Sequence, residues 1–206
     1  MTNSLSRQDI QSDLFEAPAP AGPPLPPGFG HWPAVVSPAA GTALAERLAT
    51  LPFRPYEFQG YLGNRRVVSF GYRYNQARRV VEPATPLPDF LLELRGHVAK
   101  AAGLPPQDLV QALVNEYEPG AGIGWHRDRA AWDQVLGLSL LTPCKLRLRR
   151  KTGARWDRAS VLLEPGSLYR LSGEVREEWQ HSIVPLPVLR YSITFRTLAD
   201  PKPPRP

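Results

Sequence analysis

The sequence predicts an α+β domain in which two early helices support a β-sandwich or jelly-roll core. Apolar residues recur at helical spacing in two stretches of the first half. Everything after Pro106 breaks into short strands with Gly or Pro at most joints. A chain of 206 residues suffices for one sizeable core and is too short for two full domains.

In chain order, residues 1–36 read as a tail, because the run Ala17-Pro18-Ala19-Pro20 continuing to Pro27-Gly28 has too few donors and apolar side chains to pack. Ser37 is placed to cap a helix over 38–50, whose leucines and alanines share a face. Residues 65–74 (RRVVSFGYRY) read as a strand followed by an aromatic, Gly-bearing turn. A second helix is expected over 87–102: Pro88 sits at its start, Leu91, Leu94 and Val98 align, and Gly103 follows the end. The expected strands are then 109–117, 123–128, 135–141, 144–150, 159–164, 167–171 and 189–197. The proline-rich end, 199–206, reads as a second tail, leaving 37–198 as one domain.

The charge balance, 25 Lys+Arg against 19 Asp+Glu, gives +6 and suits an anionic partner such as nucleic acid. One cysteine, Cys144, excludes an internal disulfide framework and any multi-cysteine metal site. No apolar run approaches the roughly 20 residues a membrane helix needs. The N-terminus lacks a basic segment followed by an apolar one, so no secretory signal is expected. The expectation is a soluble, cytoplasmic monomer.

Chemistry concentrates in the second half. His126 and Asp128 lie two apart on an expected strand, so both side chains project to one face. With the distant His181 they would make two histidines and one carboxylate on a single side of a metal, the pattern of non-haem Fe(II) sites. The pair also reads as a solvated loop histidine beside an aspartate. In the last strand, alternation puts Arg190, Ser192, Thr194 and Arg196 on one face and Tyr191, Ile193 and Phe195 on the other. If the basic face points inward it needs anions, and a dicarboxylate held by both guanidiniums would supply them. If it points outward, the strand is an ordinary edge with a basic exterior.

Asn115-x-Tyr117, Pro119-Gly120, His126-x-Asp128, His181 and the Arg190–Arg196 pair, in this order across residues 109–197, closely resemble AlkB-like 2-oxoglutarate- and Fe(II)-dependent dioxygenases. The resemblance implies a double-stranded β-helix (jelly-roll) core with N-terminal helices and an N-terminal substrate-recognition lid. It implies His126, Asp128 and His181 as iron ligands and catalytic residues. Arg190, Tyr117 and Ser192 would bind the distal carboxylate of 2-oxoglutarate, and Arg196 and Asn115 would act nearer the metal. Fe(II), 2-oxoglutarate and O2 are the implied cofactor and co-substrates. The implied reaction is oxidative demethylation of alkylated nucleic-acid bases, a direct-reversal repair that releases succinate, CO2 and an aldehyde. The same chemistry on a modified RNA or a protein methyl-lysine is the alternative, and a non-catalytic nucleic-acid-binding jelly roll is a third reading.

By the same resemblance, the lid falls at about 54–80. Tyr61, Tyr72 and Tyr74 are its candidates for stacking on a base, and Arg65 and Arg66 for phosphates. Trp179, two before His181, is a further pocket candidate, whereas Trp125 reads as core. Members that repair adenine and cytosine adducts often carry an acidic residue two positions after the metal aspartate; here Ala130 stands there. Lys145, Arg147, Arg149, Arg150, Lys151, Arg155 and Arg158 form a second basic cluster, which reads either as a nucleic-acid surface or as a solvated hairpin.

Overall fold

The structure, a computed structural model, describes residues 24–58 and 61–200, with the side chains of residues 57–62 outside the description. Residues 1–23 of the expected N-terminal tail (1–36) and 201–206 of the C-terminal one (199–206) therefore lie outside the described residues. In chain order the elements are β1 (Phe29–Trp32), α1 (Pro38–Ala49), β2 (Arg54–Phe58), β3 (Tyr61–Phe70), β4 (Tyr72–Asn75), β5 (Val80–Pro83), α2 (Asp89–Ala102), β6 (Gln111–Tyr117), β7 (Ile123–His126), β8 (Trp132–Leu140), β9 (Cys144–Thr152), β10 (Arg155–Leu163), β11 (Leu168–Leu171), α3 (Gly173–Glu177), β12 (Gln180–Ile183) and β13 (Arg190–Leu198).

The two long helices form where the sequence places them. Ser37 Oγ accepts from the Ala40 amide at 3.3 Å and Pro38 opens the first turn of α1. On α2, Leu91, Leu94 and Val98 are buried, and Gly103 closes the helix in the left-handed region at φ 68°. This helix starts at Asp89 rather than 87, because Pro88 sits at ψ 157° and a residue before proline is held extended.

The strands make a seven-stranded sheet, β1-β11-β8-β13-β6-β3-β2, a four-stranded sheet, β10-β9-β12-β7, and the β4-β5 ribbon. The helices cover one face of the large sheet. There Leu48, Leu91 and Val98 pack with Leu136, Leu138, Ile193 and Phe195, and each fully buried aliphatic side chain contributes about 2 kcal/mol. A second apolar cluster, including Cys144, Leu146, Leu148, Tyr169 and Trp179, lies toward the small sheet. On β13, Tyr191, Ile193 and Phe195 take the helix side, so Arg190, Ser192, Thr194 and Arg196 face a cavity on the other side. The central place of β13 between β8 and β6 thus decides between the two readings in favour of an inward basic face.

Several expectations change. Residues 29–32, assigned to the tail, are an edge strand paired with β11, and Phe29 stacks on Tyr169 at 6.4 Å. Four residues among prolines carry no period to announce this. Of the strand and Gly-bearing turn expected at 65–74, the turn falls at Gly71, where φ is 77° and a Cβ would lie 2.1 Å from the Val110 carbonyl oxygen, but a second strand, β4, follows it directly. The strand with the metal-type motif stops at His126, leaving Asp128 on a loop. Trp125 is half-buried on the outer side of the small sheet, covered by Arg147 and Arg149 instead of core.

Candidate active site

The two histidines meet because β7 and β12 are antiparallel neighbours with His126 opposite His181, which brings the ring centroids to 4.2 Å. His126 Nδ1 lies 2.9 Å from the Gly124 carbonyl oxygen, a contact that a protonated nitrogen satisfies. The neutral ring therefore carries its proton on Nδ1 and presents the Nε2 lone pair. Asp128 follows on the loop, with Oδ2 3.6 Å from His181 Nε2. One donor atom from each of the three residues lies within 4.8 Å of the others.

Electrostatics favours the metal-binding protonation states. Burial lowers the His126 pKa, and burial reinforced by His126 pushes His181 down to about 3. Burial alone would raise Asp128, but Arg196, His181, His126 and Arg176 together hold its carboxyl well below the usual range. Two neutral imidazoles and one carboxylate are a donor set for a divalent cation.

Surrounding residues hold the carboxylate in place. Arg196 donates to Asp128 Oδ1 from Nη2 at 2.6 Å and Nε at 3.1 Å, and from Nη1 to Gln111 at 2.8 Å. Gln111 continues to Ser69 Oγ and the Tyr72 carbonyl at 3.0 and 2.9 Å, so the base of the expected lid is tied to the carboxylate. Arg176, buried on α3, donates to the carbonyls of Arg129 and Trp132 and secures the Asp128 loop.

Arg190 is the second centre of the site. It is 1% exposed, its Nη2 donates to Ser139 Oγ at 3.1 Å, and it lies 5.0 Å from the Tyr117 ring. Among the described residues its Nε and Nη1 have no hydrogen-bond partner, and neither has the buried Asn115 Oδ1. Asn115 Nδ2 donates to the Leu113 carbonyl at 3.2 Å. Tyr117 and Asn115 are the cross-strand partners of Arg190 and Ser192. A buried guanidinium with unfilled donors is costly, and a carboxylate is the group that matches its fork. The residues thus fit both a divalent metal and a carboxylate-bearing co-substrate, and both sets face one cavity of about 520 Å³.

Val135, Leu146, Ile183 and Tyr169 give that cavity apolar walls. Tyr169 occupies space that only a glycine leaves open, since a Cβ on Gly137 would lie 2.2 Å from Tyr169 Cε1. Burial raises the pKa of its hydroxyl.

The candidates for substrate contact separate. Arg65, stacked 4.1 Å over Tyr56, and Tyr74, 5.2 Å from the Arg129 guanidinium, line the cavity. The Tyr61 side chain lies outside the described residues. Arg66 points away, because neighbours on a strand alternate in face; it pairs with Glu116 at 2.5 Å and Glu118 at 3.4 Å. Tyr72 offers its backbone carbonyl to Ser69 and Gln111 while its ring is not among the cavity walls. Trp179 is buried in the second apolar cluster, with Nε1 donating to Glu174 at 3.2 Å. Strand β12 begins only at Gln180, so the two-residue period from His181 does not extend to it. Tyr169, Gly137, Gln111 and Arg176 were not singled out by the sequence. Tyr169 sits in an expected strand, but only the assembled sheets show that its ring enters the cavity.

This fold and site define a class of oxygenase, and comparison with known proteins agrees. Residues 32–196 match the 2OG-Fe(II) oxygenase superfamily. The chain belongs to that superfamily, on its AlkB-like branch, whose chemistry uses Fe(II), 2-oxoglutarate and O2. It is 30% identical over 167 residues to the Mus musculus tRNA (carboxymethyluridine(34)-5-O)-methyltransferase ALKBH8, covering 78% of this chain and 25% of that protein. It is 30% identical over 146 residues to the Arabidopsis thaliana alkylated DNA repair protein ALKBH8 homolog, covering 59% and 42% respectively. The chain thus spans about a quarter of the mouse protein and less than half of the plant one. In structure it resembles OsALKBH1, with a TM-score of 0.64 at 16% identity over 86% of this chain and 100% of that one. A Pseudomonas putida prolyl-4-hydroxylase gives 0.55 at 18% identity, over 84% and 93%.

Proposed function

We propose that this chain catalyses the Fe(II)- and 2-oxoglutarate-dependent oxidative dealkylation of modified bases in nucleic acid. The single observation that carries the reading is one cavity holding two histidines, a carboxylate and a buried arginine with two donors unfilled among the described residues. When bound, Fe(II) and 2-oxoglutarate supply O2-dependent hydroxylation of a C–H bond, with 2-oxoglutarate leaving as succinate and CO2.

In this reading His126, Asp128 and His181 hold the metal. The Gly124 carbonyl fixes the His126 tautomer, and Arg196 holds Asp128 ionised and oriented. Arg190 takes the distal carboxylate, flanked by Tyr117 and Ser192, while Asn115 lines the cavity nearby. Val135, Leu146, Ile183 and Tyr169 exclude water around the reacting carbon. Arg65, Arg73, Arg127 and Arg129 line the cavity beside Tyr56 and Tyr74, which suits a flipped base with its phosphates outside.

The names of the relatives refer to tRNA and to alkylated DNA, and they support nucleic acid as the substrate class. The tRNA name favours modified RNA as the second reading. The catalytic domain is proposed to span 37–198, joined by the edge strand at 29–32. Because one chain supplies every residue of the site, a monomer is proposed, with a cytoplasmic setting. Among the described residues, no helix is long and apolar enough to cross a membrane.

The test offers the full chain, with Fe(II) and 2-oxoglutarate, a single-stranded DNA carrying 1-methyladenine or 3-methylcytosine and an RNA stem-loop carrying a modified uridine. Mass spectrometry follows each base. Loss of the methyl group from DNA supports dealkylation, and turnover confined to RNA moves the substrate there. Turnover of a methyl-lysine peptide alone would refute the nucleic-acid reading.

A further inference from the structure

The outer face of the small sheet carries charge that the proposed active site does not use. The four strands β7, β9, β10 and β12 contain one carboxylate, Asp157, and it is engaged by Arg150 at 3.5 Å and Thr152 at 2.7 Å. On β9 the pleat buries Cys144, Leu146 and Leu148 and turns Lys145, Arg147 and Arg149 outward. Strand pairing sets Arg158 opposite Arg149 and Trp156 opposite Lys151. None of Lys145, Arg147, Arg149 and Arg158 forms an ion pair among the described residues.

Their arrangement is more ordered than a solvated hairpin requires. Arg149 lies 4.3 Å from the Trp125 ring and 4.4 Å from the Trp156 ring, and Arg147 lies 4.9 Å from Trp125. Arg147 Nε donates to Ser182 at 3.0 Å and Arg149 Nε to Gln180 at 2.8 Å. Each guanidinium is thus held by one edge and by its stacked face, and its terminal N–H groups remain for an anion. A shallow groove of about 290 Å³ runs past Trp125, Lys145, Arg147 and Arg158, and Trp125 also borders the main cavity. The groove and the candidate active site therefore meet at one residue, one position before His126.

We propose that this face is a second nucleic-acid contact, which tracks the phosphodiester backbone of a single strand and leads it past Trp125 toward the cavity. Forked cations match phosphates. Trp156, 41% exposed, offers a ring on which a base stacks. The inference deepens the nucleic-acid reading and rests on it for the identity of the strand.

The test is fluorescence anisotropy of the full chain with an unmodified single-stranded oligonucleotide over a salt series. The test variants are Lys145→Gln/Arg158→Gln and, separately, Trp156→Ala; the control, Arg47→Gln/Lys100→Gln, removes two charges from the helices. The expected result is at least a roughly tenfold weaker Kd for the first variant and a log–log salt slope shallower by about 1.4, at 0.7 per lost phosphate contact. Trp156→Ala weakens binding without changing the slope. Succinate formed in the absence of nucleic acid stays at the wild-type rate in both variants, which shows the fold intact.

Equal weakening by the helix control, or equal competition by an acidic peptide, would overturn the proposal. Wild-type affinity in both face variants, with base oxidation still measured, overturns this surface and leaves the dealkylase reading standing. An absence of oligonucleotide binding by the wild-type chain overturns this surface, and an absence of base oxidation counts separately against the dealkylase reading.

Discussion

Replacing Arg190 with Met separates a functional cation from a structural one. The guanidinium is 1% exposed with no carboxylate beside it, so burial costs several kcal/mol. Its hydrogen bond to Ser139 returns about 1.5–3 kcal/mol, and the Tyr117 ring returns about 2 kcal/mol. These contributions nearly cancel, so the ligand-free variant is expected to unfold within about 2 kcal/mol of wild type, in either direction. Binding responds differently. Removing one partner of a buried charge pair costs about 3–5 kcal/mol, which weakens 2-oxoglutarate by roughly two to more than three orders of magnitude. The assay is urea unfolding with and without 2-oxoglutarate, in the presence of a redox-inert divalent metal. At 100 times the wild-type Kd, ligand adds about 2.7 kcal/mol to wild type and about 0.3 kcal/mol or less to the variant. A variant that loses over about 3 kcal/mol unliganded, yet keeps the wild-type ligand gain, would show Arg190 to be a brace and refute the assignment.

Gly137→Ala drives a methyl group into the Tyr169 ring, with an expected destabilisation of about 1–3 kcal/mol and a lower kcat, read by urea midpoints and succinate formation. Gly96→Ala is the opposite case: it sits inside α2 with nothing within 4 Å of the added carbon, and is expected to gain about 0.5–1 kcal/mol. Burial and a 3.0 Å hydrogen bond to Glu116 push the Tyr191 hydroxyl up to about 12. Its folded pKa lies above the unfolded value of about 10, so its contribution to stability is complete below pH 10 and drains away as pH rises toward 12. Tyr191→Phe should therefore flatten the alkaline fall in unfolding midpoint between those values, and an unchanged slope would count against the cause assigned here.

What the sequence revealed depended on local periodicity. The two faces of β13 were legible because Arg190, Ser192, Thr194 and Arg196 alternate with three apolar residues, but only its central place between β8 and β6 turned the basic face inward. Both long helices were legible through a serine cap, a stripe of leucines and a closing glycine. The alignment of His126 with His181 was not, because strand register is set by tertiary pairing, and residues 55 apart carry no local mark of it. Arg66 and Trp179 misled for the same reason. Their residue types suited a nucleic-acid pocket, but the β3 pleat turned one toward Glu116 and the end of α3 folded the other into an apolar cluster. Arg176 lay in a charged run, GEVREEWQ, where nothing distinguished the one arginine that becomes buried beneath the Asp128 loop.

The central claim is best tested by following succinate and the repaired base together, with Fe(II), 2-oxoglutarate and the preferred modified oligonucleotide. Asp128→Ala, checked for an intact fold by circular dichroism, is run in parallel. The two products are predicted to form one for one in the wild-type chain and to vanish together in Asp128→Ala. Succinate and repaired base persisting in Asp128→Ala, or neither forming in wild-type protein with iron bound, would contradict the account.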